Sequence, residues 1–110
     1  MNDIPFEIAP SAVSARLESG ERLRLIDVRE PAEYAIAQID GAEPIPMRAM
    51  PQHLSDLEEG DDFLIVFCHH GVRSLSVVEG LRRQGVDKCQ SMSGGIDLWS
   101  REIDPAVPRY

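Results

Sequence analysis

The residues of this 110-residue chain with chemistry to offer converge on one stretch, Phe63-Leu64-Ile65-Val66-Phe67-Cys68-His69-His70-Gly71-Val72-Arg73-Ser74. A cysteine is an effective nucleophile only as its thiolate, and a helix N-terminus and a nearby cation both stabilise that anion. Cys68 ends an apolar, β-branched and aromatic run of strand length. Beyond it a glycine-containing loop leads into a helical pattern. Backbone N–H groups and the positive end of the helix dipole would therefore surround the sulfur. Arg73 stands in the first helical turn, where a cation opposes the dipole by roughly 0.3–1 kcal/mol. A local rule broken in this way points to function. The plainer alternative pairs Arg73 with Glu79 or Asp27 and makes Cys68 a small buried hydrophobe. The joint pattern of strand, cysteine, loop, arginine and helix weighs against it.

Metal ligation by Cys68, His69 and His70 is disfavoured. Adjacent residues rarely converge on one ion, and only His53 and Cys89 remain to complete a set. No metal is expected. The two histidines are assigned to donating loop amides, adding positive potential near the thiolate when protonated, and standing at the pocket mouth. Cys89 reads as a buried structural cysteine, with a resolving disulfide to Cys68 as the alternative.

Several elements must position this loop. Pro10 to Gly20 predicts a helix with proline near its start and glycine past its end, buried through Val13 and Leu17. Leu23, Leu25, Ile26 and Val28 predict a buried parallel strand. Glu30-Pro31-Ala32-Glu33-Tyr34 opens another helix, and a short strand is expected around Ala42 to Ile45. Met47 to Glu59, interrupted by Pro51, predicts a helix or a turn and then a helix, with Leu54 and Leu57 inward and His53 at the surface. Leu75, Val78 and Leu81 place a helix directly after the loop, with Arg82 and Arg83 in its last turn and Gly85 beyond it. Val86 to Met92 supplies the last strand. Gly94-Gly95 permits a tight turn into a final helix with Trp99 in the core. Strand and helix patterns alternate about five times, so the fold expected is α/β, a parallel sheet of about five strands with helices on both faces. Ligands of such sheets bind outside the carboxyl ends of the strands, which is where Cys68 lies.

Residues 1–110 have the length of a single domain with one core. Nineteen acidic against eleven basic residues give a formal charge of −8, which argues against nucleic acid or an anionic membrane surface as partner. The start of the chain lacks the charged and apolar regions of a signal peptide. The apolar run from Phe63 to Phe67 is far short of the roughly twenty residues of a membrane span. Two cysteines, one of them a reactive thiol, suit a reducing cytoplasm.

Cys68-His69-His70-Gly71-Val72-Arg73-Ser74 resembles the active-site loop of the rhodanese-like sulfurtransferases. Leu25-Ile26-Asp27-Val28-Arg29-Glu30-Pro31-Ala32-Glu33-Tyr34, with Ile39-Asp40-Gly41-Ala42 and Ile45-Pro46, is similar to the family's first signature, and Ser93-Gly94-Gly95-Ile96-Asp97-Leu98-Trp99 to its last. Ala37-Gln38 stands where the family has Gly-His. The resemblance implies a cysteine that carries a persulfide sulfur from a donor such as thiosulfate to a thiophilic acceptor. Cys68 is then the nucleophile, the backbone of residues 69 to 73 the cradle, and Arg73 an electrostatic support that binds the donor. It implies no cofactor, and gives Asp27 and Arg29 a structural role. Related phosphatases have five residues between cysteine and arginine; here His69, His70, Gly71 and Val72 make four, a ring that suits a single sulfur. The tail from Trp99 to Tyr110 is similar to rhodanese domains fused to enzymes that activate ubiquitin-like sulfur carriers, which adds a sulfur-carrier protein to the small-molecule partners. A cysteine phosphatase and a non-catalytic interaction module are the alternatives.

Overall fold

The structure, a computed structural model, describes residues 4–110. Five strands form one wholly parallel sheet: β1 (Glu7–Ile8), β2 (Leu23–Asp27), β3 (Glu43–Pro44), β4 (Phe63–Phe67) and β5 (Cys89–Met92), in the order β1-β5-β4-β2-β3. Five helices cover it: α1 (Pro10–Glu18), α2 (Pro31–Ile36), α3 (Met50–Glu59), α4 (Val72–Arg83) and α5 (Gly95–Glu102). This is the α/β architecture expected. Among the described residues no helix is long and apolar enough to cross a membrane.

Side-chain alternation explains why β4 is apolar throughout and why Leu25 and Ile26 of β2 are apolar in succession, its polar Arg24 and Asp27 being paired with Glu43 and Arg29. Ile26, Val28, Leu64, Val66 and Cys68 point to one face, where Leu57 of α3 and Val78 and Leu81 of α4 join them. Leu25, Ile65 and Phe67 point to the other, against Val13 of α1 and Ile96 and Trp99 of α5. A strand buried on both sides has no polar face to alternate. The central pair runs in register from Leu23 opposite Phe63 to Asp27 opposite Phe67. Their carboxyl ends therefore finish side by side. From β2 the chain proceeds outward to β3, and from β4 in the opposite direction to β5. The loops after β2 and β4 thus part at a topological switch point.

The remaining elements differ in detail from expectation. The lead containing Phe6 and Ile8 supplies β1, whose two residues are too few to show a period. It is fixed by hydrogen bonds from the Ser91 amide to Phe6 O at 2.8 Å and from the Ser93 amide to Ile8 O at 2.9 Å. Arg82 donates to the carbonyls of Ile4, Pro5 and Cys89, each at 2.7 Å, so it ties the lead to β5 instead of merely complementing the helix dipole. The last strand is shorter than expected because Val86 to Lys88 turn before it. Pro51 sits in the first turn of α3, preceded by a 3-10 turn over Met47–Ala49. Asp27 and Arg29 form the structural pair expected of them: both side chains are buried, Nη2 lies 2.7 Å from Oδ2, and the same nitrogen donates to Ala37 O.

Candidate active site

At the carboxyl end of β4 the chain leaves the sheet at Cys68, and α4 begins at Val72. The turn between them requires Gly71, whose φ of +103° is a left-handed conformation strained for other residues. Across the loop lies the N-terminus of α5. Its Ile96 amide donates to Cys68 O at 2.9 Å and its Asp97 amide to His69 O at 3.1 Å. With those carbonyls drawn outward, loop amides face the sulfur: the Gly71 N–H lies 3.1 Å and the Ser74 N–H 3.4 Å from Cys68 Sγ. Ser74 Oγ is also 3.4 Å from Sγ and forms a 2.8 Å hydrogen bond with Ser91 Oγ. Two amides converging on one sulfur form an anion site, and the thiol itself donates to Ser74 Oγ. Cys68 is buried, with 1% of its surface exposed, but it is buried beneath the loop with donors aimed at it.

The six positions singled out from sequence are brought together as one loop, though not with the roles assigned to each. Of the cradle over residues 69 to 73, the amide that reaches Sγ is that of Gly71. The second donor, Ser74, lies one position beyond the range. Val72 is 79% exposed at the loop's outer edge. Arg73 pairs with neither Glu79 nor Asp27; it grips Glu33 of α2 through two hydrogen bonds, at 2.6 and 3.0 Å. The pair bridges the loops that diverge after β2 and β4. Arg73 holds the Glu33 carboxyl down to about 2, with the Tyr110 hydroxyl assisting.

His69 and His70 separate in environment. His70 is exposed at the mouth, with Nε2 4.0 Å from Asp97 Oδ2. His69 is held against Tyr110, their rings 3.9 Å apart and 8° from parallel, and His70 stacks on it at 3.8 Å. Burial, aided by His70, pushes the His69 imidazole below its usual range. Its ring is a packing surface between Tyr110 and His70. The metal alternative built on Cys68 changes its members: His69, His70 and Asp97 offer ligand atoms within 4.8 Å of one another. Asp97, however, already faces Arg109 at 2.9 Å and Arg101 at 3.7 Å. Those two guanidiniums oppose a cation there.

Cys89 lies opposite Leu64 in the sheet. Cys68 is four residues further along β4, a distance of about 13 Å at strand rise. A disulfide needs Cα atoms within about 7 Å, so the alternative of a resolving Cys89 is set aside. Its sulfur donates to Val86 O, and burial pushes the thiol's pKa up. Ser74, Glu33, Asp97 and Tyr110 have no role assigned from sequence, and Gly95 is read there only as part of a tight turn. All but Tyr110 stand inside the three motifs, but their partners are set by long-range contacts that spacing does not reveal.

A parallel sheet that carries a cysteine in a tight amide-lined loop at a helix N-terminus, clamped by a second helix, defines a class. The chain belongs to the rhodanese-like family, whose domain description matches residues 9–102. It is similar to the sulfurtransferase of Allochromatium vinosum, 34% identical over 101 residues that cover 92% of this chain and 94% of that protein. The "Probable adenylyltransferase/sulfurtransferase MoeZ" of Mycobacterium tuberculosis is 33% identical over 105 residues; the match takes in 94% of this chain and spans about a quarter, 26%, of that protein. Among solved structures, a rhodanese-like domain protein from Staphylococcus aureus superposes with a TM-score of 0.81 at 27% identity, covering 96% of this chain and 99% of that one.

Proposed function

We propose that the protein is a sulfurtransferase that works through a persulfide on Cys68. The observation that carries this reading is the convergence of the Gly71 and Ser74 amides on Sγ within a loop that spaces cysteine and arginine by four residues. In the first step the thiolate attacks the outer sulfur of a donor such as thiosulfate. The Cys68–sulfur bond forms, the donor's S–S bond breaks, and sulfite leaves with the electron pair. The terminal persulfide anion is held by the loop amides. In the second step a thiophilic acceptor attacks that outer sulfur, and the Cys68 thiolate departs with the electrons of the S–S bond. Arg73, already neutralised by Glu33, braces the loop mouth and orients an anionic donor. The steps use no metal and no organic cofactor. Free cysteines suit a reducing compartment, and the cytoplasm is the location proposed. A sulfur-carrier protein is the further acceptor proposed, supported by the likeness to a domain within an adenylyltransferase/sulfurtransferase.

The test is intact mass spectrometry after incubation with thiosulfate, comparing the protein with Cys68→Ser. A gain of one sulfur atom in the parent, absent from the variant and removed by cyanide with release of thiocyanate, is the expected result. No gain in the parent with thiosulfate or with a low-molecular-weight persulfide overturns the proposal. Aryl phosphate hydrolysis dependent on Cys68 would replace it with the phosphatase reading.

A further inference from the structure

We propose that Tyr110 is a positioning residue for sulfur transfer, setting the donor-binding side of the loop mouth by stacking on His69 and by holding the Glu33–Arg73 pair in place. The proposal rests on the transfer reading above.

Residues 103–110 double back along α5 and bring Tyr110 to the loop. Ser100 Oγ donates to Val107 O, the Val107 side chain is buried against the α1–α5 core, and Arg109 Nε donates to Asp97 Oδ1 at 2.9 Å. The same Asp97 supplies the amide that holds His69 O. The tail is thus fastened to the helix turn that shapes the loop, at points on both sides of its chain direction.

From this anchor Tyr110 makes three contacts with the site. Its ring lies nearly parallel to that of His69 at 3.9 Å, and His69 in turn stacks on His70 at 3.8 Å. Its hydroxyl donates to Glu33 Oε2 at 2.7 Å and accepts from Arg29 Nη1 at 3.0 Å. Arg29 is itself fixed by the buried Asp27. The hydroxyl therefore connects an immobile pair at the end of β2 to the carboxylate that grips Arg73. Burial pushes the phenol up to about 12, so the proton needed for the bond to Glu33 is retained at neutral pH.

Glu33 Oε2 also receives Arg73 Nη2 at 3.0 Å. Without the Tyr110 hydroxyl that carboxylate loses one donor and its link to Arg29, keeping the Glu30 amide and the two Arg73 bonds, so the Glu33–Arg73 pair is held less tightly. The hydrogen bonds of Cys68 Sγ go to Gly71 and Ser74 and not to Tyr110. Removal of the hydroxyl is accordingly expected to weaken capture of an anionic donor and to leave the chemical step alone.

The experiment measures steady-state transfer from thiosulfate to cyanide for the parent, Tyr110→Phe, Glu33→Gln and the double variant, with thermal unfolding in parallel. Tyr110→Phe keeps the ring stack and removes the hydroxyl. Its KM for thiosulfate should rise roughly three- to tenfold, the range for losing one ordinary hydrogen bond, while kcat stays within about twofold. If Tyr110 acts through Glu33, the double variant should be no worse than Glu33→Gln alone. An unchanged KM in Tyr110→Phe overturns the inference, as do effects of the two substitutions that multiply independently. A fall in kcat matched by a fall in melting temperature also overturns it, since that is the mark of a structural role only. Failure of the parent to transfer sulfur at all refutes instead the reading on which the inference rests.

Discussion

Gly95→Ala tests whether the clamp from α5 shapes the sulfur site. Gly95 has φ of +59°, and a Cβ placed there would lie 2.4 Å from both Cys68 O and His69 O and 2.6 Å from the His69 carbonyl carbon. The atoms met are backbone and cannot rotate away. Reaching ordinary contact requires an opening of about 1 Å, which would stretch the 2.9 Å bond from the Ile96 amide to Cys68 O out of hydrogen-bond range. Left-handed strain costs about 1–3 kcal/mol and forced separation of packed backbone costs typically a further 1–3 kcal/mol. The total is a large part of the 5–15 kcal/mol typical of a domain. Released carbonyls would also let the loop amides turn from Sγ, and a misplacement of about 1 Å can cost roughly a hundredfold in rate. Gly85→Ala is the control, since Gly85 has φ of +92° with nothing within 4 Å of the added carbon. It should lose only the strain contribution. Urea unfolding and the rate of Cys68 persulfide formation, followed by mass, compare the two. A Gly95→Ala protein no less stable than Gly85→Ala and undiminished in persulfide formation would refute the reasoning.

Arg29→Met should destabilise the fold by about 3–5 kcal/mol, because it leaves the Asp27 carboxylate buried without its partner; the midpoint of urea unfolding at neutral pH reads this directly. Glu33 gives a pH dependence of determined sign. Its folded pKa of about 2 lies below the unfolded 4.5, so its contribution to stability is complete above the unfolded value and is lost as pH falls through about 2. Glu33→Gln should therefore melt below the parent at pH 6, with the difference shrinking toward pH 2; a gap independent of pH would contradict the assignment.

The legible part of the fold was that written in apolar runs. β4 is buried on both faces, and its unbroken Phe, Leu, Ile and Val residues announce it; β2 shows the same in Leu25 and Ile26 although Arg24 and Asp27 interrupt its run. The pattern of α4 and the glycine before it place Cys68 at a helix start, but the clamp from α5 on Cys68 O and His69 O is a long-range contact that the local pattern does not show. Two-residue strands such as β1 and β3 hold no period, so their pairing is decided by β5 and β2. Ser74 went unassigned because its partners, Cys68 and Ser91, meet only when β4 and β5 lie side by side. Arg73 was noticed as a cation in an unfavourable place, but the carboxylate that compensates it lies forty residues earlier, on α2. Tyr110 reaches the loop by doubling back along a helix, a path no spacing rule describes.

The register between β4 and β5 has a chemical consequence. The chain's other thiol is held several strand positions below the loop and donates to Val86 O. On the proposed persulfide reading, a sulfur loaded at the top of the sheet would find no internal sulfhydryl to reduce it or to close on it, and its discharge would fall to a nucleophile arriving from solution.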